Sequence, residues 1–468
     1  AYRVSVAVVH EDSASSTSPE KKYSSGAASS ENAIVDYAET FVAGDHVVPR
    51  IVLITIDTLR RDALGCYSPN ENSPNIDAFA KSAVLFENAW APSPWTLPSL
   101  ASLNTGIAAA VHGATHHERR VPERLDTLAE KLSNQKYLTG AFVANRFLEE
   151  NRGFIQGFHR YREVLQEGRN STERVTNHAL QWIAANAEQD FFLWLHYFDP
   201  HQPYTPPDEF APDNPIAENF RQAFPSIFWI RAGTTRLNAE EMAALRALYE
   251  GEVRYVDDRV GRIFDLLRER GLFENALIIV TTDHGEEFWE HGGFEHGHTL
   301  YNELLKIPML VRLPRGTMGG RRVAAPVSLT ALYATILDVC GIQYDASVLS
   351  AASLAPAFKG GKIHQENPLF KSAFPMIYEP KQALLFEHFK YIHNLSSGRE
   401  ELYDLAIDPA ERINLGSHFP KKIERARESL DHIATKENIL RTQLGVEEGE
   451  TVELEPETRQ ELRDLGYF

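Results

Sequence analysis

Positive charge is in short supply along this chain. Lysine and arginine number 47 against 65 aspartate and glutamate residues, a formal net charge of −18 over 468 residues. That balance opposes non-specific binding to nucleic acid or to an anionic membrane surface. It also requires that an anionic substrate be attracted locally, most simply by a bound metal ion. Cysteine is nearly absent. Cys66 and Cys340 are the only two, too few for a disulfide framework and uninformative about redox compartment. No apolar run is long enough to span a bilayer, and no internal repeat is present. The chain starts at Ala1 rather than Met, which leaves room for a removed signal peptide or membrane anchor. What is plentiful is ordinary for a soluble globular protein. Hydrophobic residues make up 43%, and the length suits a large α/β core with more than one subdomain.

Residues 1–49 read as an N-terminal extension. Within it, the stretch 13–30 is rich in Ser, Ala and Lys and has the composition of a mobile, disordered tail. Residues 1–9 alternate weakly and fit an edge strand. Ile51-Val52-Leu53-Ile54-Thr55-Ile56 is an apolar, largely β-branched run, the pattern of a strand buried on both faces. Further strands are expected at 137–143, 191–196, 276–280 and 308–313, and helices at 125–132, 240–270 and 329–339. Strands alternating with helices imply an α/β fold, a mostly parallel central sheet sandwiched by helices. Between 206 and 238, Phe210, Phe220, Phe224, Phe228 and Trp229 stand among prolines and polar residues. This segment reads as a long irregular loop over the site. From about 374 the pattern changes to short strands at 376–378, 383–388, 390–394 and 401–405, a small C-terminal antiparallel sheet. A helix at 421–443 and an acidic, helical tail to 468 come next.

Trp95-Thr96-Leu97-Pro98-Ser99-Leu100-Ala101-Ser102-Leu103-Asn104-Thr105-Gly106 reads as one short helix with its start and stop. Pro98 suits the first turn and Gly106 the position just past the end. Thr96 is expected just ahead of this helix, where unpaired N–H groups and the positive dipole end face whatever is bound. A hydroxyl there is well placed to attack an anionic ester, because the developing negative charge is stabilised where it forms. Taken alone, Thr96 reads as an N-cap. The strand ends change that reading.

Ligands in open α/β sheets sit beyond the carboxyl ends of the strands. Three such ends offer donors: Asp57, Asp283 with His284, and Asp199 with His201. Two carboxylates, an imidazole and a hydroxyl make a mixed oxygen and nitrogen site for one divalent cation (Mg, Mn, Ca or Zn), built from Asp57, Asp283, His284 and the Thr96 oxygen. Such a cation lowers the pKa of the hydroxyl, the activation a threonine needs. In the glycine-rich stretch that follows, His291 reads as a solvated loop histidine. One of His296 and His298 is expected to face the substrate as proton donor or anion binder, with His296 favoured. His112, His116 and His117 read as structural.

These pieces occur in a familiar order. Ile56-Asp57-Thr58-Leu59-Arg60, Ser73-Pro74-Asn75-Ile76-Asp77, the Thr96 to Gly106 stretch, Asp199-Pro200-His201-Gln202-Pro203-Tyr204, Asp283-His284-Gly285-Glu286 and Glu401-Leu402-Tyr403-Asp404-Leu405 resemble the sulfatase-like branch of the alkaline phosphatase superfamily. The resemblance runs from about 50 to 416. It implies a catalytic α/β domain over 50–365, a C-terminal subdomain over 366–435 and an acidic tail over 436–468. It implies that Asp57, Asp283 and His284 hold one metal and that Thr96 is the nucleophile. It also implies that His201, Asp199 and the histidine loop with His296 and His298 contact the transferred group. The Lys-Trp-His segment that helps bind sulfate in many members is here Val143-Ala144-Asn145, which makes Asn145 a substrate-binding candidate. A second metal on Asp199, His201 and His296 or His298, by analogy with two-zinc relatives, ranks below the one-metal reading.

One departure matters most. True sulfatases carry a Cys or Ser, converted to formylglycine, at the Thr96 position, and an Arg where this chain has Leu100. Without an aldehyde hydrate the elimination step that releases sulfate is missing. A threonine alkoxide is instead what the phosphodiesterase, nucleotide pyrophosphatase and lipoteichoic-acid-synthase relatives use. The expectation is therefore a metal-dependent hydrolase or transferase cleaving phosphodiester or phosphonate-type esters of a small-molecule, lipid or glycan substrate. A sulfuric ester hydrolase using unmodified Thr96 and a non-catalytic binding protein on the same scaffold are the alternatives, and the complete metal set opposes the last. No nucleic-acid polymer is expected as a partner. A location outside the cytoplasm is favoured by the resemblance alone.

Overall fold

A computed structural model describes residues 4–9, 50–164, 171–231, 233–358, 361, 369–372, 379–446 and 449–464. The apolar run after Arg50 forms the strand Arg50–Ile56, buried from Ile51 onward. It pairs in parallel with Phe191–Tyr197 on one side and Ala276–Thr281 on the other. All three are apolar runs with no solvated face, as a strand covered on both sides must be. Alternate side chains of one strand feed opposite layers. Ile51 and Leu53 join one core, while Val52, Ile54 and Ile56 join the other. Helices cover both faces accordingly.

Among the described residues this sheet has nine strands and is mostly parallel. Met309–Arg312 and Lys306–Ile307 run antiparallel to their neighbours at one side. Register aligns the strand ends. Thr55 lies opposite His196 on one neighbour and opposite Thr281 on the other. The three carboxyl ends therefore finish level, and the residues just beyond them meet above the sheet edge.

The helix Thr96–Thr105 is buried along its whole length. Its N-cap is Trp95, so Thr96 is the first helical residue rather than the one before it, and Pro98 lies inside the first turn. Gly106 ends it at φ 71°, with its N–H on Ser102 O. That left-handed turn suits a residue without a Cβ. The longest helix, Ala239–Glu269, starts at Asn238, which forms a reciprocal capping box with Glu241.

The segment between 206 and 238 departs from the expected irregular loop. It contains the helices Pro215–Gln222, capped by Asn214, and Ile227–Arg231. Proline at the first helical position is compatible with a helix, which composition alone hides. The small sheet also departs from expectation. Lys381–Phe386, Phe389–Asn394 and Glu400–Asp404 form the expected antiparallel run, packed on the helix Pro420–Leu444. Val4–Val9 is not at its edge. It lies between Lys381–Phe386, parallel, and Leu369–Ser372, antiparallel. A local alternation reports a strand but not its partners, which here lie more than 300 residues away. The expected strand at 376–378 and the expected tail at 13–30 fall outside the described residues. Among the described residues, no helix is long and apolar enough to cross a membrane.

Candidate active site

Asp57 continues the central strand by one bond, its N–H on Tyr197 O at 2.9 Å. The next residue, Thr58, turns the chain away at φ 53°, a costly conformation for a β-branched residue and one concentrated at functional sites. Asp283 and His284 sit at the end of the neighbouring strand. His284 Nε2 is 3.5 Å from Asp57 Oδ1 and 3.3 Å from Asp283 Oδ2. The Thr96 hydroxyl is 3.4 Å from the same nitrogen and hydrogen-bonds the Asp283 carboxylate. His284 Nδ1 faces Gly285 O at 2.9 Å, which leaves Nε2 as the coordinating atom. The Thr96 helix is tied to this strand end by Ser99 Oγ, which donates to Asp283 O at 2.6 Å.

The electrostatics of this cluster suit a cation. Asp57, Asp283, His284 and Thr96 are all fully buried. Asp57 Oδ1 and Asp283 Oδ2 have no hydrogen-bond partner. These are the two oxygens nearest His284 Nε2, and the three ligand atoms lie within 4.8 Å of one another. Burial and the charge of Asp57 raise the Asp283 carboxyl. At Asp57, burial is outweighed by the His196 hydrogen bond and by the charges of His201 and His284, which hold it below the usual carboxylate range. Orphaned, buried carboxylate oxygens beside an imidazole fit a divalent metal ion.

The other predicted residues surround this core. Asn145 Nδ2 donates to Asp57 Oδ2 at 2.6 Å, so this amide contacts a carboxylate of the candidate metal set itself. His201 Nδ1 faces Gln202 O at 2.7 Å, and its ring is 4.8 Å from that of His296. His296 in turn lies 4.5 Å, ring to ring, from His284. Its Nδ1 is 2.8 Å from Glu286 Oε1, and Tyr204 OH donates to the other oxygen of that carboxyl at 2.9 Å. Burial lowers the pKa of both His201 and His296. Burial pushes Asp199 up to about 6, with the charge of Asp57 adding to the rise. His298 Nε2 is 2.7 Å from Glu287 Oε2. A Cβ at Gly293 would meet His298 Nε2 at 2.2 Å, so the loop needs a glycine there for space.

Among the described residues, Asp199, His201 and His296 or His298 do not converge as a second metal set. His296 and His298 are committed to Glu286 and Glu287 instead. His291 is not a free loop histidine either. It stacks on Tyr301 at 3.6 Å and pairs with Glu303 at 2.5 Å. His112 bonds Ser102 Oγ and the Ala114 N–H, and burial pulls it down to about 3, as a structural, neutral imidazole. His116, His117 and Glu118 also place donor atoms within coordinating reach. There, burial, His116 and the cations Arg152 and Arg459 pull His117 down to about 3. Those neighbouring positive charges oppose a further cation.

Three participants were not singled out by sequence reasoning. His196 Nε2 is 3.5 Å from Asp57 Oδ2, and Thr55 Oγ1 fixes its other nitrogen at 2.8 Å. Its only signal is a histidine at the end of an otherwise apolar strand. Glu286 stands in the Asp-His-Gly-Glu stretch, with nothing local to mark it as the partner of His296. Arg231, in the segment 206–238, pairs with the buried Glu295, and its charge helps to lower His201 and His296. Leu100 is fully buried in the main core, a place where an unpaired arginine would be costly.

Known proteins share this architecture. The protein-family model described as Sulfatase matches residues 49–342. The model described as N-sulphoglucosamine sulphohydrolase, C-terminal, matches 289–435. A sulfatase of Formosa agariphila is 25% identical over 459 residues, covering 83% of this chain and 87% of its own. A Delta 4,5-hexuronate-2-O-sulfatase of Bacteroides thetaiotaomicron is 23% identical, covering 83% and 89%. Among solved structures, the phosphonate monoester hydrolase of Agrobacterium radiobacter superposes with a TM-score of 0.64 at 21% identity, over 85% of this chain and 96% of that one. With the fold, the ordered motifs and the family match in agreement, the chain belongs to the sulfatase family, ester hydrolases of the alkaline phosphatase superfamily.

Proposed function

We propose that this family member cleaves phosphodiester or phosphonate-type esters with Thr96 as nucleophile. The observation that carries the reading is the Thr96 hydroxyl itself. It opens a buried helix, 3.4 Å from His284 Nε2, and hydrogen-bonds Asp283. Asp57, Asp283 and His284 would hold a divalent cation, which when bound lowers the pKa of that hydroxyl and offsets charge on the transferred group. Thr96 Oγ passes its proton to the Asp283 carboxylate it hydrogen-bonds and forms the new bond to phosphorus as the ester oxygen leaves. The N-terminal N–H groups of the helix face the developing negative charge. His296 donates its Nε2 proton to the leaving oxygen. Glu286, held protonated by burial, hands its own proton to Nδ1 across 2.8 Å. Water or an acceptor hydroxyl then attacks the phosphothreonine, its proton returns through His296 to Glu286, and Asp283 gives its proton back to Thr96 Oγ as that oxygen leaves phosphorus. His201, Asn145, His298 and Asp199 contact the transferred group.

The names of the curated relatives favour one competing reading, a sulfuric ester hydrolase with unmodified Thr96. The test is a panel of aryl phosphodiester, phosphonate monoester, phosphate monoester and sulfate substrates, each with Mg, Mn, Ca or Zn. The highest kcat/KM is expected on a diester or phosphonate. Thr96→Ala is expected to lose about a thousandfold or more in kcat, with Thr96→Ser retaining part of it. A Thr96→Ala protein with full turnover would exclude the mechanism. A preference for aryl sulfate would select the second reading.

A further inference from the structure

Beside the candidate active site lies a separate cavity of about 290 Å³. Its walls come from the turn after Asp57, the loop at 290–291, the segment 302–306 and the stretch 409–412. Three carboxylates and four lysine or arginine side chains line it, and their pairing is uneven. Arg60 engages both Asp62 and Glu290, each at 2.8 Å. Glu303 is taken by His291 at 2.5 Å. Four cationic side chains thus face three carboxylates, and Lys306, Arg61 and Arg412 stand outside these pairs.

Lys306 has no carboxylate partner among the described residues. Its ammonium lies 5.9 Å from the ring centroid of Trp90, which the Lys390 ammonium also approaches, at 5.6 Å. Lys390 is satisfied by Glu411 at 2.8 Å, but Lys306 is not. Burial, Arg61 and Lys390 together pull the Lys306 ammonium down to about 8. Arg61 likewise has no ion pair among the described residues. Its Nε is buried without a hydrogen-bond partner, and its guanidinium rests 4.9 Å from the Tyr67 ring centroid. Arg412 donates to the Glu290 carbonyl at 3.0 Å, a neutral acceptor that leaves its charge unmatched. Although the chain as a whole carries a net charge of −18, this lining holds one more lysine or arginine than carboxylates, and the three cations without an ion pair there repel each other. A bound anion relieves that repulsion and supplies the missing hydrogen-bond acceptors.

We infer that this cavity binds a small oxyanion, a sulfate, phosphate or carboxylate group, held by Lys306, Arg61 and Arg412. The oxyanion is either a second charged group of the ester substrate or a free inorganic anion. Inorganic phosphate and sulfate titrated calorimetrically into the full chain test the site without requiring turnover. The titration therefore decides for or against the cavity even in a chain that hydrolyses nothing. Lys306→Met and Arg61→Gln are each expected to weaken one class of anion binding about tenfold, whereas Lys306→Arg preserves it. Arg412→Gln repeats the test if Lys306→Met does not fold. Kinetics separate the two sources. A KM that rises in the variants only for an ester carrying a second anionic group assigns the site to substrate. Weakened phosphate binding with KM unchanged on both esters assigns it to a free anion. Superimposable titrations for wild type, Lys306→Met and Arg61→Gln overturn the inference.

Discussion

Asp57 is controlled by two neighbours on one oxygen and by none on the other. Asn145 and His196 approach Oδ2, while Oδ1 is left without a hydrogen bond. The amide therefore orients the carboxylate so that Oδ1 points toward His284 Nε2. Asn145→Ala is expected to weaken divalent-cation affinity by about tenfold or more, as loss of a partner bonded to a metal ligand usually does. Calorimetric titration of the metal measures it. Away from the site, Asp257 shows the cost of burial by itself. It receives the N–H groups of Asn75 and Ile76 at 3.0 and 2.8 Å, acting as a remote cap for the helix Pro74–Ala80. Burial nevertheless raises its pKa from 3.8 to about 6. A raised carboxyl means that the folded chain binds this proton more tightly than the unfolded one. The stability it contributes is present below about pH 4 and is lost as pH rises toward 6. Asp257→Asn has no such titration. Between about pH 4 and 7 the stability of wild type is expected to fall relative to this variant by roughly 3 kcal/mol, read from urea midpoints.

At the scale of elements, the segment 206–238 meets the histidine loop through one buried ion pair. Thr96, Asp57, Asp283 and His284 have no exposed surface. The helix Ile227–Arg231 meets the histidine loop through Arg231 and Glu295. Glu295 is held at φ 77° and also receives Gln202 Nε2 at 3.3 Å. Arg231→Gln leaves the Glu295 carboxylate buried without its guanidinium, a loss of about 3 kcal/mol in comparable pairs. The expected outcome is a lower thermal midpoint together with faster proteolysis within 206–238. Unchanged proteolysis would show that another contact holds the segment. The same segment marks a limit of sequence reading. Its aromatic residues suggested a covering role, but the helix Pro215–Gln222 was hidden by a proline that stands at a helix start rather than inside one.

For the whole molecule, two carboxylates without hydrogen-bond partners on their facing oxygens store electrostatic repulsion that a cation would relieve. Dialysis against a chelator is expected to lower the thermal midpoint, and Mg, Mn, Ca or Zn to restore it. A hundredfold excess over Kd corresponds to about 2.7 kcal/mol. His284→Asn is expected to blunt that response. If wild type and His284→Asn melt alike with and without metal, these three residues do not form the cation site.

The central strands, their parallel order and the helix after Thr96 were legible because buried strands carry uninterrupted apolar runs and helices carry caps and stops. Asp57, Asp283 and His284 were legible because they come just after such strands, where ligands of open sheets gather. Local pattern could not pair His296 with Glu286, His298 with Glu287 or Arg231 with Glu295, since charge matching between loops depends on how those loops close over the sheet. Nor could it place Val4–Val9 between two strands, because strand partners are chosen by packing across the whole chain. Composition and motif order determined the architecture and the metal-ligand candidates. Tertiary structure alone decided which histidines are held by carboxylates and which cations are left unmatched, because burial sets the energy of every charge and only three-dimensional proximity supplies its partner.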